Sequence, residues 1–475
     1  MKKSNPVVIP RFFYGTIVIG LFCLFMFTGC NSSSSYWSDE TLKEEVINTS
    51  FWDLDGNNFG ENEVFLSVSP SGKYILTVDH GRQDLFQRFT YGANIFGRQL
   101  YHLSFYEKKY DSFHLVSRIE LDPELNPEFN CVLASSDETG IAWNQEETLI
   151  LISGGTTRVR GYHATKANNL YLVDFSAQTF ERLTNHSRRG GPFIILPQWS
   201  QDYGITFVRS EDLEEHLLGA SLVSFDLETR TEAVLANLSI YPYHLLVNDY
   251  VIHNHMVYFV NTNYFGVSRE RIGLFKVSLE ANQSSPTQLL SMEDIWIDEE
   301  VNIAISDTTT SKGFTCLQVS PDGNWLLLTG EDPRFFMRNL GIENIERRPS
   351  HSIYLYHIET SQLVNPYVDD ALRPSATIVT AATFAPDGKS MLVATFGSGG
   401  QWNEGDFDRT TLYQIRLDDG SFDSVQIFRT DLEYGTPGGL LWLENHTILL
   451  RPFGEGLPPF YPVQIVKPSA FERFN

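Results

Sequence analysis

Cysteine is scarce in this chain: four in 475 residues, at positions 23, 30, 131 and 316. None stands in a CxxC or Cys/His spacing, which excludes a zinc site of the ordinary kind. Positive charge is also in deficit. Lys and Arg number 35 against 59 Asp and Glu, a formal charge of −24. A nucleic-acid partner is excluded on that balance, because phosphate demands a basic footprint. Long amphipathic helical runs are missing. So are the short catalytic signatures: there is no HExxH, no P-loop and no GxSxG elbow, since Gly388-Lys389-Ser390-Met391-Leu392 lacks the closing glycine. Only one long apolar run occurs, over 12–27, and it is short of the roughly 20 residues a spanning helix needs.

What is present begins with an address. Lys2, Lys3 and Arg11 precede the apolar run, and Thr28-Gly29-Cys30, Asn31 and four serines follow it. A basic start, a short apolar stretch and a small-residue exit make an export signal. The ending Phe27-Thr28-Gly29-Cys30 resembles a bacterial lipoprotein signal, with Phe27 where Leu is usual. The resemblance implies lipidation of Cys30, with residues 1–29 as signal peptide and 30–43 as a polar tether. An uncleaved N-terminal anchor is the alternative. Either reading puts the rest of the chain outside the cytoplasm, because the basic flank stays inside. Cys131 and Cys316 then remain, and two buried free thiols are expected.

At 475 residues the chain is too long for one ordinary core, so several domains or a repeat is expected. A repeat is visible. A polar turn followed by an apolar run recurs at 67–78, 141–153, 197–208, 317–329, 383–394 and 440–451, with a weaker copy at 247–260. The last turn residues are Gly72, Glu147, Gly204, Asn254, Gly323, Gly388 and His446. A strand–turn–strand pattern follows each copy, at 100–121, 169–184, 221–236, 273–290, 352–367 and 411–428, and only 461–466 follows the last. Apolar and β-branched residues suit a pleated surface, and Pro-Ser-Gly or Pro-Asp-Gly supplies the turn. Four strands per unit, repeated six or seven times, predict an all-β chain: a single β-propeller over 44–475 with four-stranded antiparallel blades. Seven blades are expected, with six the alternative. The segment 44–52 is expected to join the short last blade and close the ring.

The units resemble the WD40-like propeller repeats of the TolB type. The resemblance is carried by Ser69-Pro70-Ser71-Gly72-Lys73, Ser320-Pro321-Asp322-Gly323, Ala385-Pro386-Asp387-Gly388-Lys389 and strands such as Leu170-Tyr171-Leu172-Val173-Asp174. It spans residues 64–466. It implies a propeller fold and partners at the cell envelope; a separate TolB-like N-terminal domain is not evident in 31–63.

In such a blade the first and third turns lie at one end of the ring. Here both are short. The second connections lie at the other end and are long: 79–99, 154–168, 261–273, 330–350 and 397–409. Binding residues gather on variable loops held by a rigid frame. Twelve of the 23 arginines after residue 29 fall in these loops. Arg88, Arg98, Arg158, Arg160, Arg334, Arg338 and Arg409, interleaved with Tyr162 and Trp402, form the expected partner-binding face. Arg forks grip carboxylates and phosphates, and Arg with aromatics is interface chemistry. Local pairing with acidic neighbours such as Asp84, Asp332 and Asp408 is the competing reading. The expected partners are the membrane, through the N-terminal lipid, and envelope proteins or an anionic ligand.

Two further clusters bear on metal binding. His253-Asn254-His255 supplies two imidazoles, too few for a site, and reads as a hairpin turn. Asp53-Leu54-Asp55-Gly56-Asn57 resembles the start of a calcium loop, but Asn58 and Val64 stand where Gly and Glu are required; a Gly/Asn-rich turn is expected, with calcium near Asp53 and Asp55 the alternative. No catalytic residue, metal or cofactor is assigned. The functional expectation is an extracytoplasmic, lipid-anchored binding or scaffold module at the cell envelope. The alternative is a propeller enzyme acting on carbohydrate at the channel mouth.

Overall fold

The structure is a computed structural model and describes residues 45–46, 50–51, 63–79, 102–109, 112–121, 140–154, 169–186, 193–213, 217–240, 245–263, 272–280, 285–295, 313–331, 351–364, 378–396, 410–417, 425–430, 436–442, 448–453 and 464–466. By contacts, residues 1–45 and 46–475 form two units. The second unit is an all-β propeller. Seven antiparallel sheets follow one another along the chain, six of them holding four consecutive strands each. The first sheet runs Glu63–Val68, Tyr74–Asp79, His102–Lys109 and Ser112–Glu120. The fourth runs Leu245–His253, Met256–Asn263, Gly273–Ser278 and Thr287–Ser291. The last has three consecutive strands, Thr436–Trp442, Ile448–Phe453 and Gln464–Val466. Its fourth comes from the start of the chain: Ser50 pairs with Ile465 and Phe51 with Gln464. The expected closure is therefore found within the expected segment. The only described helix is the four-residue Met292–Ile295.

The second strands read as unbroken apolar runs because both of their faces are covered. Leu76, Val78, Leu103 and Phe105 of the first sheet pack on Ile150, Ile152, Tyr171 and Val173 of the second. Leu151 and Leu170 of the second face Ile194, Phe207 and Val223 of the third. Val208 and Leu222 of the third meet Val257 and Phe259 of the fourth, and Tyr258 and Val260 meet Phe314, Leu326 and Leu328 of the fifth. Leu327 and Ile353 turn the other way, to Phe384 and Val393 of the sixth. Odd residues of a strand serve one neighbour and even residues the other, as the two-residue period dictates. Burial of each such side chain stabilises by roughly 1.5–3 kcal/mol.

The first turns are copies of one another in hydrogen bonding. Ser69 N–H donates to Tyr74 O and Gly72 N–H to Ser69 O; Asn144 and Glu147, Ser320 and Gly323, Ala385 and Gly388 repeat the pair at 2.8–3.0 Å. The pattern needs a left-handed residue at its end. Gly72, Gly323 and Gly388 supply it with φ of 70–77°, and Glu147 does so at 57°; in the third sheet Gly204, at 67°, is left-handed too but pairs directly with Ser200. In the fourth sheet Asn254 and His255, at 49° and 57°, make a two-residue hairpin turn instead. Third turns repeat as well: Gln178, Arg230 and Ser361 all sit near 57°.

Candidate functional site

The strand order divides the ring into two unlike ends. At one end lie the first and third turns, and these are tied from sheet to sheet. The Glu147 carboxylate accepts Ser71 N–H and Ser71 Oγ–H, both at 2.6 Å. Tyr203 and His255 share a hydrogen bond at 2.8 Å between Oη and Nδ1. The His253 ring lies over Gly323 closely enough that a Cβ there would meet Cε1 at 2.6 Å. A Cβ on Gly388 would stand 3.4 Å from Pro321. The two imidazoles of the fourth hairpin thus turn to opposite neighbours, His255 to the third sheet and His253 to the fifth. Among the described residues no three His, Cys, Asp or Glu side chains gather as a metal cage.

The opposite end is where the long connections attach. Asp79 and His102, Gly154 and Asn169, Asn263 and Gly273, Glu331 and His351, Phe396 and Thr410 end there. The sequence-predicted partner face, Arg88, Arg98, Arg158, Arg160, Tyr162, Arg334, Arg338, Trp402 and Arg409, lies outside the described residues, as do Cys30, Asp53, Asp55 and Cys131.

Between the two ends runs the inner rim, built from the first strand of each sheet. An innermost strand has one edge without a neighbouring strand, and its backbone groups need other partners. Side chains of adjoining sheets provide them. Trp199 Nε1 donates to Ala142 O at 3.1 Å, Gln198 Nε2 to Tyr250 O at 2.8 Å, Asn248 Nδ2 to Phe314 O at 2.7 Å and Gln318 Nε2 to Ala382 O at 3.5 Å. Trp143 Nε1 completes the series on Ser67 Oγ at 3.0 Å. These indoles and amides link six successive sheets. Irregular register recurs in the same strands: between Phe65 and Ser67, Ile195 and Gln198, Val247 and Asp249, Phe314 and Cys316, Val379 and Ala381, Pro437 and Gly439. Such bulges re-aim side chains out of the regular alternation.

Asp249 is the acidic member of this rim. Its Oδ2 accepts Leu317 N–H of the fifth sheet at 2.9 Å, and Oδ1 accepts the N–H of Tyr250 at 2.9 Å. Burial pushes its carboxyl up to about 7 from 3.8, against the opposing pull of those two donors. The Tyr250 phenol, hydrogen-bonded to Thr206 Oγ1 at 3.0 Å, is also pushed up by burial.

A second buried carboxylate behaves differently. Glu63, at the loop-bearing end of the first sheet, has a side chain 1% exposed. It accepts from Ser104 Oγ at 2.8 Å, Thr77 Oγ1 at 3.2 Å and the Tyr106 phenol, and pairs with Arg118 Nη2 at 2.6 Å. Burial, with the Glu63 carboxylate behind it, pushes the Tyr106 phenol up. Thr77 and Ser104 lie on the face opposite the one packed on the second sheet, so this polar row marks the side of the first sheet from which the ring is closed. A third group joins Arg209, Glu232 and His186: Arg209 Nη1 stands 2.7 Å and His186 Nε2 3.4 Å from the Glu232 carboxylate. The neighbouring His186 ring, ahead of the Arg209 guanidinium, holds Glu232 below the usual carboxylate range.

Sequence reasoning missed Asp249 and Glu63. Each is a lone acid in an apolar strand, and the only signal was that interruption.

No family model matches the chain, and no curated protein matches it. Among solved structures, the Myceliophteria thermophila Cps50 (Swd1) β-propeller domain is similar at TM-score 0.43 and 10% identity, covering 89% of this chain and 99% of that one. An oligogalacturonate lyase in complex with manganese is similar at TM-score 0.42 and 12% identity, covering 90% and 99%.

Proposed function

We propose that the protein is a binding or scaffold module, held outside the cytoplasm by a lipid on Cys30, that takes a protein or anionic partner at the loop-bearing end of its propeller. The observation that carries this reading is the inequality of the two ends. Short turns laced from sheet to sheet make one end rigid, while the other receives the long connections rich in Arg and aromatic residues. A rigid frame beneath variable loops is the usual arrangement of binding surfaces. The TolB-type resemblance of the repeats supports partners at the cell envelope. Seven blades, one per sheet, is the count that fits this arrangement.

The test uses the full chain in intact cells. Arg158, Arg334 and Arg409 changed together to Ala lose the cross-linked partner, with unchanged protein level and membrane retention. Cys30→Ala moves the protein from the membrane to the soluble fraction. Undiminished cross-linking by the triple variant overturns the binding face, and membrane retention of Cys30→Ala overturns the anchor.

A further inference from the structure

We propose that the third sheet carries a projecting acidic arm, residues 211–219, which docks on the cationic connection 155–168 of the second sheet and competes with an anionic partner for Arg158 and Arg160. The competition rests on the partner-binding reading; the contact does not. The middle strands of the third sheet, Gly204–Leu213 and Leu217–Asp226, are ten residues each, and no described strand is longer. They outrun their own sheet. The inner strand Phe193–Ser200 starts opposite Ser210. The outer strand Thr231–Asn237 ends opposite Ser221, with Leu238 N–H still on Ala220 O. Beyond those points Glu211 pairs with Gly219, Asp212 with Leu218 and Leu213 with Leu217. Three further pairs carry the arm about 10 Å past its neighbours. The sixth sheet, by contrast, ends level, with Ile378, Phe396, Thr410 and Thr430 in one row. A ribbon of two strands is marginal in water unless one of its faces is covered.

Register sets the face to be covered. Phe207 and Val223, a directly opposed pair, pack on Leu151 and Leu170 of the second sheet. The two-residue period places 209, 211 and 213 on that same face, with 217 and 219 opposite them. The join continues towards the arm at Arg209, whose Nη1 stands 2.7 Å from the Glu232 carboxylate, with His186 of the second sheet 3.4 Å from the same group. His186 is tied in turn to the root of the connection. Asn169, fully buried, accepts its backbone N–H at 2.8 Å and donates to its carbonyl at 3.2 Å. The connection therefore returns to the sheet beside the face that the arm extends. Out and back, 155–168 can reach about 20 Å, enough to run the length of the arm. The charges match. Of the five long connections this one alone has no Asp or Glu, so Arg158, Arg160 and Lys166 have no acid within their own segment to pair with. The arm has Glu211, Asp212, Glu214 and Glu215 and no Lys or Arg. Leu213 and Leu217 offer an apolar pair to Val159 and Tyr162. The link 122–139 is acidic as well, but it enters the second sheet from the first.

Hydrogen exchange over 155–168 in the full-length protein tests the contact. Exchange there is expected to be at least about tenfold slower in the unsubstituted chain than in one carrying Glu211→Gln, Asp212→Asn, Glu214→Gln and Glu215→Gln, with protection over 205–208 alike in both. Salt at about 1 M speeds exchange in the first chain and not in the second. Arg158→Glu with Arg160→Glu also loses the protection. Adding Glu214→Lys and Glu215→Lys to that chain restores it, which pairing with any other acid would not do. Equal exchange in the unsubstituted and neutralised chains, or no restoration by the swap, overturns the contact. For the competition the probe is inorganic polyphosphate. The neutralised arm is expected to bind it at least about fivefold more tightly than a chain neutralised instead at Glu146, Asp202, Glu228 and Glu280 of the turn end, and Arg158→Ala with Arg160→Ala cancels the gain. Equal affinities of the two neutralised chains overturn the competition. A failure of the binding face reads differently: there the Arg158, Arg334 and Arg409 triple variant keeps its cross-linked partner whatever the arm carries.

Discussion

Glu147 and Ser71 stand 76 positions apart in sequence, yet both oxygens of the one carboxylate close on the backbone N–H and hydroxyl of the other residue at 2.6 Å. Glu147 also occupies a left-handed position, φ 57°, where the sister turns have glycine. A non-glycine residue there costs about 1 kcal/mol or more, and charge-assisted hydrogen bonds contribute about 1.5–3 kcal/mol. The clamp therefore outweighs the strain.

Glu147→Ala keeps the strain and loses the clamp, and is expected to destabilise by about 2 kcal/mol. Glu147→Gly loses the clamp and the strain together, and is expected to be about 1 kcal/mol more stable than Glu147→Ala. Urea unfolding of both variants measures the gap. Equal midpoints with equal slopes would show that the left-handed conformation is not held against the side chain's preference.

At Gly323 the backbone disfavours a side chain, and the His253 ring would have to shift to admit one. Its φ is 77° and an added Cβ would meet His253 Cε1 at 2.6 Å. Gly323→Ala is expected to destabilise by about 2–3 kcal/mol. His253→Ala in the same chain removes the clash but not the backbone strain, so it restores only part of the loss. A double-mutant cycle with no coupling between the two positions would contradict the contact.

The turns were legible because their chemistry is local. Of the seven last turn residues picked out from the sequence repeat, Gly72, Glu147, Gly204, Asn254, Gly323 and Gly388 have positive φ, and His446 lies outside the described residues. Pairing within each sheet follows from the same turns. The closing strand at Ser50–Phe51 was foreseen from arithmetic, since the last copy of the repeat lacked one strand. The inner rim was not legible. Whether Asn248, Asp249 or Gln318 faces its own sheet or the next depends on a bulge, and one extra residue in a strand leaves no mark in an apolar pattern. The Glu63 cluster is hidden for another reason: its donors Thr77, Ser104, Tyr106 and Arg118 come from three different strands.

The Glu63–Arg118 pair predicts an asymmetry between its two halves. The Glu63 side chain is 1% exposed and that of Arg118 42%. Arg118→Ala leaves a buried carboxylate without its cation and is expected to cost about 3 kcal/mol. Glu63→Gln leaves an amide oxygen for Ser104, Thr77 and Tyr106, while the half-exposed guanidinium turns to water; about 1 kcal/mol is expected. The double variant should resemble Glu63→Gln alone. Thermal or urea unfolding of the three variants decides, and a larger loss from Glu63→Gln than from Arg118→Ala would reverse the account.

Asp249 gives stability a pH dependence of unusual sign for a carboxyl. Its folded value of about 7 lies above the unfolded 3.8, so folding takes up a proton between the two. The group costs nothing below about pH 4. Its cost grows as the pH rises and is complete above about 7, on the order of 4 kcal/mol at most. Asp249→Asn is expected to melt near the unsubstituted protein at about pH 5 and above it at about pH 8. Glu232, held low by His186 and Arg209, contributes in the opposite sense: its stabilisation is present above its unfolded value and lost as the pH falls. A melting difference between Asp249→Asn and the unsubstituted chain that does not change with pH would remove Asp249 from this balance.

Among the described residues, ring closure rests on few bonds. Ser50 and Phe51 pair with the last sheet, against Ile465 and Gln464, whereas Gly204–Leu213 pairs with its neighbour Leu217–Asp226 through nine residue pairs. Proline at position 51 removes an N–H and restricts the residue before it, so the two-residue ladder cannot form. Phe51→Pro is expected to expose the outer edge of Gln464–Val466 while leaving the apolar joins among the first six sheets in place. Limited proteolysis should then cut first within 436–466, several-fold faster than in the unsubstituted protein, with 193–331 still resistant. Because propellers transmit packing from sheet to sheet around the ring, a loss confined to the last sheet would identify closure as a separate, weaker step. Uniform cleavage of all sheets would show instead that the closing strand supports the whole ring.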